Sequence, residues 1–280
     1  MRSRVVPGLR LELTEISLGG ASLGNLYESI SEAQAHVVIA QAWSSGIRYF
    51  DTAPHCGLGL SERRLGEALK SYPRDEYVLS TKVGRLHMPS VSPQPLDDHL
   101  FAVPAHLSRR WDFSREGIRQ SVEERLQRTG MDRYDILYLH DPDISGIADA
   151  ATTGAAALLE LRDEGMVTAM GIGSNSSAAV TELFLRADID IATLAGRYSF
   201  LEQHGADEVF EAVAGRAVVA VGVFNSGILA SPRSAPGATH HYQPASDDVL
   251  QQAPCLARSP RYTGHRFSRP RSRFPCAILR

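Results

Sequence analysis

Four side chains able to handle protons stand where apolar runs end: Asp51 and Cys56 in YFDTAPHCG, Lys82 in VLSTKV and His140 in ILYLHD. A carboxylate beside an ammonium makes an orienting ion pair, and an imidazole trades hydrogen bonds near neutral pH. A thiol, with a reference pKa of about 8.5, exchanges a proton or attacks as thiolate. Each residue also has a plainer reading. Asp51 caps a turn through its own side chain, Lys82 snorkels from a strand end, and His140 is a satisfied core histidine. Cys56 is an inert thiol unless Lys82 lowers its pKa. Their shared position favours chemistry, because α/β proteins gather reactive groups on loops at the carboxyl ends of strands.

The elements that must hold these groups alternate from Ile16 to about Val223. ISLGGA is a first strand. Ser31 to Ser45 is a helix, with Ser31 and Gln34 as a capping box and Gly46 as its stop. IRYFDTA is the second strand, and Ser61 caps a short helix bearing Leu65, Ala68 and Leu69 on one face. YVLSTKV is the third strand. Residues 85–113, with four prolines, form a long polar loop expected to act as a lid beside the site. A helix capped by Ser114 carries Ile118, Val122 and Leu126 and stops at Gly130. YDILYLHD, TAMGIGSN, IDIATLAGRY and AVVAVGVFN are strands four to seven, with helices between them. Repeated strand–helix units require a parallel sheet with right-handed crossovers. The fold class is α/β, a (β/α)8 TIM-type barrel whose eighth unit is unrecognisable. A doubly wound sheet is disfavoured, since no GxGxxG follows the first strand.

With 43% hydrophobic residues in 280 and a formal charge of −3, the chain fills one large core and has no general attraction for nucleic acid or membrane. Cys56, Cys255 and Cys276 form no CxxC pair, so neither a disulfide framework nor a metal site is expected. Charges interrupt every apolar run of MRSRVVPGLRLEL, so no signal peptide is expected and the setting is cytoplasmic.

The segments GGASLGNLY, GIRYFDTAPHCGLGLSERRLG, LSTKVGR, DRYDILYLHDPD, GIGSN, LAGRYSF and GVFNSGIL together resemble the aldo-keto reductase family. The likeness is strongest to its bacterial branch of aldose and pyridoxal dehydrogenases. It runs in order from about Ile16 to about Leu250, and so many motifs in register make it specific. The resemblance implies a TIM barrel binding NAD or NADP at its carboxyl face without a Rossmann domain. It implies hydride transfer between nicotinamide and an aldose-like sugar or small aldehyde.

By the same resemblance, Asp51, Lys82 and His140 match three members of the family's catalytic tetrad. The fourth is a Tyr, and at its position in DTAPHYG this chain has Cys56. The family Lys stabilises the phenolate, the Asp holds the Lys, and the His donates a hydrogen bond to the substrate oxygen. A cysteine sulfur ends about 3–4 Å short of a tyrosine hydroxyl, so a bridging water would be needed. Ser174 and Asn175 match the grip on the carboxamide, Phe224 the residue stacking on the ring, and Asn225, Ser226, Gly227 and Leu229 the loop around the pyrophosphate. Gly20 and Ala21 line the ribose side, and Tyr27 is the nearest substitute phenol. The alternative is a catalytically inactive, truncated homologue that binds cofactor. The residues leave NAD against NADP and the oligomeric state open.

Residues 1–250 read as the barrel and residues 251–280 as an Arg/Pro-rich tail. No Asp or Glu follows Asp248, seven Arg and three Pro fall between Cys255 and Arg280, and no helical or strand period runs through the segment. A disordered basic tail, a nucleic-acid arm, or translation of a shifted reading frame of GC-rich DNA all fit. The third is the expectation, with CAIL near the end as a doubtful edge strand beside Pro275.

Overall fold

Short buried runs alternating with helices fold into a parallel sheet wrapped on its outside. The computed structural model describes residues 1–258 apart from 204, 214 and 231–236. An antiparallel hairpin, β1 (Ser3–Val5) and β2 (Glu12–Thr14), precedes β3 (Leu18–Gly19) and α1 (Glu32–Ser44). β4 (Tyr49–Asp51) leads to α2 (Leu60–Leu69). Between β5 (Val78–Val83) and α3 (Arg115–Thr129) stands a ribbon of β6 (Arg85–Gln94) and β7 (Ala105–Trp111). Then β8 (Ile136–His140) and α4 (Ala150–Asp163), β9 (Ala169–Ser174) and α5 (Ser177–Arg186), and β10 (Ile191–Ala195) and α6 (Ala206–Ala212) alternate. β11 (Ala217–Val221) is followed by a small hairpin, β12 (Thr239–His240) and β13 (Gln243–Pro244), and by α7 (Asp247–Arg258).

The sheet runs β3-β4-β5-β8-β9-β10-β11, every neighbouring pair parallel. This is an α/β barrel of TIM type with seven strands, nearly closed. The described residues contain no eighth parallel strand between β3 and β11. β8 and β9 are buried at every residue, as strands covered on both faces must be. Inside the barrel, Val6, Leu11 and Leu13 from the N-terminal hairpin pack with Tyr49, Ile136, Tyr138 and Ile191. The hairpin thus plugs the amino end with apolar side chains, and polar groups collect at the carboxyl mouth.

Helix signals act largely as read. Ser31 Oγ accepts from Gln34 N and Gln34 Oε1 from Ser31 N, while Ser114 Oγ accepts from Gly117 N at 3.0 Å. Gly130 ends α3 in a left-handed conformation (φ 65°). Ser61 is not a cap: α2 begins after left-handed Gly59, and buried Ser61 pairs with Thr52 Oγ1 at 2.8 Å. The expected loop 85–113 is largely the β6–β7 ribbon. Pro89 and Pro93 fit there because each strand of a two-stranded ribbon has one edge free of ladder hydrogen bonds, and the register shifts between Pro89 and Gln94. The backbone shows no break at residue 250, since α7 continues through Arg258. CAIL and the rest of the Arg/Pro-rich segment lie outside the described residues.

Candidate active site

Residue alternation along the strands builds the site. Side chains two apart share a face, so Tyr49 and Asp51 on β4, Ser80 and Lys82 on β5, and Tyr138 and His140 on β8 form two layers inside the barrel. Pairing of Asp51 with Ser80 and of Lys82 with Tyr138 sets their heights. Lys82 Nζ donates to Asp51 Oδ2 at 2.7 Å and to Thr52 O at 3.2 Å, and Ser80 Oγ donates to Asp51 Oδ1 at 2.6 Å. Beneath them the Tyr49 hydroxyl lies 3.1 Å from Ser80 Oγ and 3.0 Å from the Tyr138 hydroxyl. Gly173 on β9 leaves room for the lysine stem, since a Cβ there would stand 3.4 Å from Lys82 Cε and 2.6 Å from Thr193 Oγ1.

Burial decides the protonation states. Burial alone would lower the Lys82 ammonium, but Asp51, with Cys56 as a lesser contributor, more than offsets it and raises its pKa. Burial pushes the Cys56 thiol up to about 12, outweighing the pull of Lys82, so the site holds a thiol and not a thiolate. Burial, then Arg85 and His55, drives His140 well below the usual imidazole range and keeps it neutral. Its Nε2 lies 3.5 Å from Asp141 Oδ2, and its Nδ1 is buried without a partner. Asp141 is raised by burial to about 6 despite the Arg85 guanidinium, whose Nη2 is 2.7 Å from Oδ2.

The ribbon closes over this floor. Its connecting loop places Phe101 5.3 Å from the His55 ring, and Arg109 on β7 grips Asp97 with two nitrogens while donating to His55 O at 3.0 Å. Phe101, Val103 and Leu58 form a small apolar cluster against which Cys56 packs. The ribbon therefore stands beside Cys56, where the lid was expected.

The residues matched to cofactor binding form a second arc. Gly20 N donates to Asp51 O at 2.7 Å, and a Cβ on Gly20 would meet Ser61 Oγ at 2.3 Å. Ala21 opens a short 3₁₀ turn beside it. Ser174 Oγ donates to Asp143 Oδ1 at 2.9 Å, and the Asn175 amide reaches Ala195 O at 3.4 Å. Beyond β11, Phe224 stands 57% exposed, and Asn225, Ser226 and Gly227 all take left-handed backbone. The Leu229 amide is tied back to Phe224 O. Asn225 Oδ1 is buried with no partner. The amides of Asn225, Gly227 and Ile228 are likewise donated within the turn, to Gly222 O, Phe224 O and Asn225 O, so the loop is held in shape by its own backbone hydrogen bonds. Tyr27, read as a substitute phenol, donates to Ser226 Oγ at 3.2 Å and so bridges the loops after β3 and β11.

Sequence reasoning passed over Arg125. Fully buried on α3, it donates to Lys82 O at 2.7 Å and Arg85 O at 2.9 Å, with Glu62 Oε1 3.7 Å from its Nε. It pins the carboxyl end of β5. The signal was present, for Arg125 falls seven residues after Ile118 on the apolar stripe of α3. Arg85, Arg109 and the pair His240–His241 were also missed. The side-chain donors of Glu202, His240 and His241 lie within 4.8 Å of one another, but Arg197 Nη1 is already 2.9 Å from both His241 Nε2 and Glu202 Oε2. A guanidinium occupies the place a cation would take. A separate open depression of about 950 Å³ runs between α5 and α6, lined by Thr181, Glu182, Arg186, Arg197 and Glu208. Its lining includes none of Asp51, Cys56, Lys82 and His140.

A barrel plugged at its amino end, with an ion pair and a neutral imidazole at its carboxyl mouth, defines an enzyme of the TIM-barrel class. Residues 15–257 match the model of the aldo/keto reductase family. The chain is 46% identical over 244 residues to a D-threo-aldose 1-dehydrogenase of Pseudomonas sp., covering 85% of this chain and 74% of that protein. It is 38% identical over 242 residues to a pyridoxal 4-dehydrogenase of Microbacterium luteolum, covering 80% and 70%. The holo form of an aldo-keto reductase from Bacillus halodurans superposes with a TM-score of 0.66 at 26% identity, over 86% of this chain and 72% of that one. The chain belongs to the aldo/keto reductase family and is an oxidoreductase by fold and descent. No helix among the described residues is long and apolar enough to cross a membrane.

Proposed function

We propose that this chain moves hydride between a nicotinamide cofactor, NAD or NADP, and an aldose-like sugar or small aldehyde. The observation that carries this reading is the 2.7 Å Lys82–Asp51 pair beside neutral His140 at the barrel mouth. The names of the two relatives support a sugar or aldehyde as the partner.

The residues present fit the cofactor. Phe224 offers an exposed ring and Asn225 Oδ1 an unpartnered acceptor, beside a left-handed loop 225–227 that its own backbone hydrogen bonds hold in shape. Ser174 and Asn175 would hold the carboxamide, Leu229 would close the loop around the pyrophosphate, and Gly20 and Ala21 would line the ribose. Bound there, the nicotinamide accepts or supplies the hydride. His140 presents a neutral imidazole to the carbonyl oxygen, and Lys82, fixed by Asp51 and by Arg125 through its own carbonyl, supplies positive charge as that oxygen becomes anionic. Cys56 lies at the edge of this charge and remains a thiol.

Fluorescence titration with NADH and NADPH, with turnover of L-fucose and of pyridoxal, tests the reading. Saturable quenching with turnover supports it, and absence of both removes it. A second reading, a homologue that binds cofactor without turnover, draws on the Cys56 thiol held at about 12. Binding without turnover in the wild type, together with turnover in a Cys56→Tyr variant, selects that reading.

A further inference from the structure

A neutral imidazole has two nitrogens and one proton, so it donates to a substrate oxygen only when that proton sits on the nitrogen facing it. In His140 the two nitrogens have unlike surroundings. Nδ1 is buried without a partner among the described residues, which leaves Nε2 as the nitrogen able to meet a substrate. Nε2 lies 3.5 Å from Asp141 Oδ2. The ring also meets His55 edge to face at 5.7 Å, but the Nδ1 atoms of both rings lack partners, so that contact leaves the choice of nitrogen to Asp141.

Regular strand geometry would not put Asp141 there. Consecutive side chains on a strand point to opposite faces, which would send Asp141 away from His140. β8 ends at His140, and Asp141 takes left-handed backbone, φ 42°, while its N–H still donates to Gly173 O at 2.8 Å. The turn brings the carboxylate back beside the ring of its own neighbour. A non-glycine residue held in that region is strained, and such strain gathers at functional sites. The carboxylate is itself held. Arg85 Nη2 donates to Asp141 Oδ2 at 2.7 Å, with the two side chains 6% and 18% exposed. The guanidinium carbon of Arg85 stands 4.0 Å over the ring of Trp111, its partner across the β6–β7 ribbon, and Arg125 Nη2 donates to Arg85 O at 2.9 Å. A line of contacts, Trp111 to Arg85 to Asp141 to His140, thus runs from the root of the ribbon to the mouth. Asp141, raised by burial to about 6 despite Arg85, is ionised at neutral pH.

We propose that Asp141 is a positioning residue that keeps the His140 proton on Nε2, and that Arg85 offsets the charge of Asp141 toward the substrate oxygen. This rests on the nicotinamide-dependent reading above. A proton on Nε2 is attracted by the carboxylate, whereas a lone pair there is repelled. At 3.5 Å the contact lies outside the usual N–H···O range of about 2.7–3.2 Å, so the N–H is oriented and still free to donate to substrate. A bare carboxylate this close would oppose the negative charge that grows on the oxygen as hydride arrives, and the Arg85 guanidinium offsets it. Asp141 and Arg85 exchange no proton in the reaction.

Two measurements on the full chain test this. Labelling histidine with ¹⁵N separates protonated from bare ring nitrogens, and the His140 signals are assigned by their loss in His140→Gln. The wild type is expected to carry the proton on Nε2. Finding it on Nδ1 overturns the proposal with no need of a variant or of turnover. Replacing the buried pair together, Arg85→Met with Asp141→Leu, avoids a stranded charge. That double variant is expected to shift the proton toward Nδ1 and to lower kcat with L-fucose by about 10²–10³, the cost of one lost oxyanion donor, while the Kd for NADH or NADPH stays within about twofold. A double variant whose proton stays on Nε2 and whose kcat matches an active wild type overturns the proposal and leaves the oxidoreductase reading standing. A wild type that neither binds nicotinamide nor turns over removes that reading, and the role assigned to Asp141 falls with it.

Discussion

Acidification from pH 7.5 to 5.5 should destabilise this fold far more than its modest net charge implies. His140, His55 and His87 are each driven below the imidazole range by burial and then by neighbouring arginines, His87 to about 3. Folded, they stay neutral, while the unfolded chain takes up protons below a reference of about 6.5. Stability is therefore fully present above about 6.5 and drains away as pH falls from there toward 3. At pH 5.5 each histidine costs about 1.4 kcal/mol, so the three together cost about 4 kcal/mol. Asp141 acts in the opposite sense. Raised to about 6 in the folded state, it contributes stability below its unfolded pKa that is lost as pH rises through 6, and acidification over this range returns about 1 kcal/mol. The net loss is about 3 kcal/mol, a large part of the 5–15 kcal/mol typical of a domain. Urea unfolding at the two pH values, repeated with His87→Gln, measures it. The variant should lose nearly half of the pH dependence, about 1.4 of the net 3 kcal/mol. A wild type whose unfolding free energy is the same at both pH values within about 1 kcal/mol refutes the neutral-histidine account.

Other outcomes follow from the same contacts. Iodoacetamide should label Cys56 at pH 8 at least tenfold more slowly than it labels the thiol in urea, because burial keeps it at about 12; equal rates would show that Lys82 prevails. Lys82→Met strands buried Asp51 and should cost about 3–5 kcal/mol in unfolding free energy, with Lys82→Met/Asp51→Leu recovering most of it. Gly66→Ala on α2 gains up to about 1 kcal/mol in helix propensity but drives a Cβ to 2.2 Å from Thr129 O, a backbone atom. Overpacking of about 1–3 kcal/mol should win, and a Tm equal to or above the wild type would contradict the α2–α3 contact.

The floor of the site was legible because it obeys the period of a strand. Asp51, Lys82 and His140 each end an apolar run, and strand alternation alone turns them inward with Tyr49, Ser80 and Tyr138. The roof was not legible. Prolines in residues 85–113 disguised a ribbon, since a sequence does not announce that a strand will keep one edge free. The β12–β13 hairpin escaped because its tip is His-Tyr, where turn chemistry calls for Asn-Gly, and it is tied down by long-range anchors at Arg197, Glu202 and Asn225. The plug at the amino end escaped for another reason: β1 and β2 have three residues each, too few to show a period. The pull of Lys82 on Cys56 was weighed from residue types, yet burial, which no local pattern reveals, decides the outcome.

The hydroxyls of Tyr138, Tyr49 and Ser80 stack along the barrel axis up to Asp51 and Lys82. That column joins the mouth to the depth sealed by Leu13 of the N-terminal plug. The site is consequently one storey of a taller polar shaft, and its tuning extends to residues no ligand touches. A change at Tyr138, or at the leucines that keep water from the shaft floor, acts on the lysine ammonium from below.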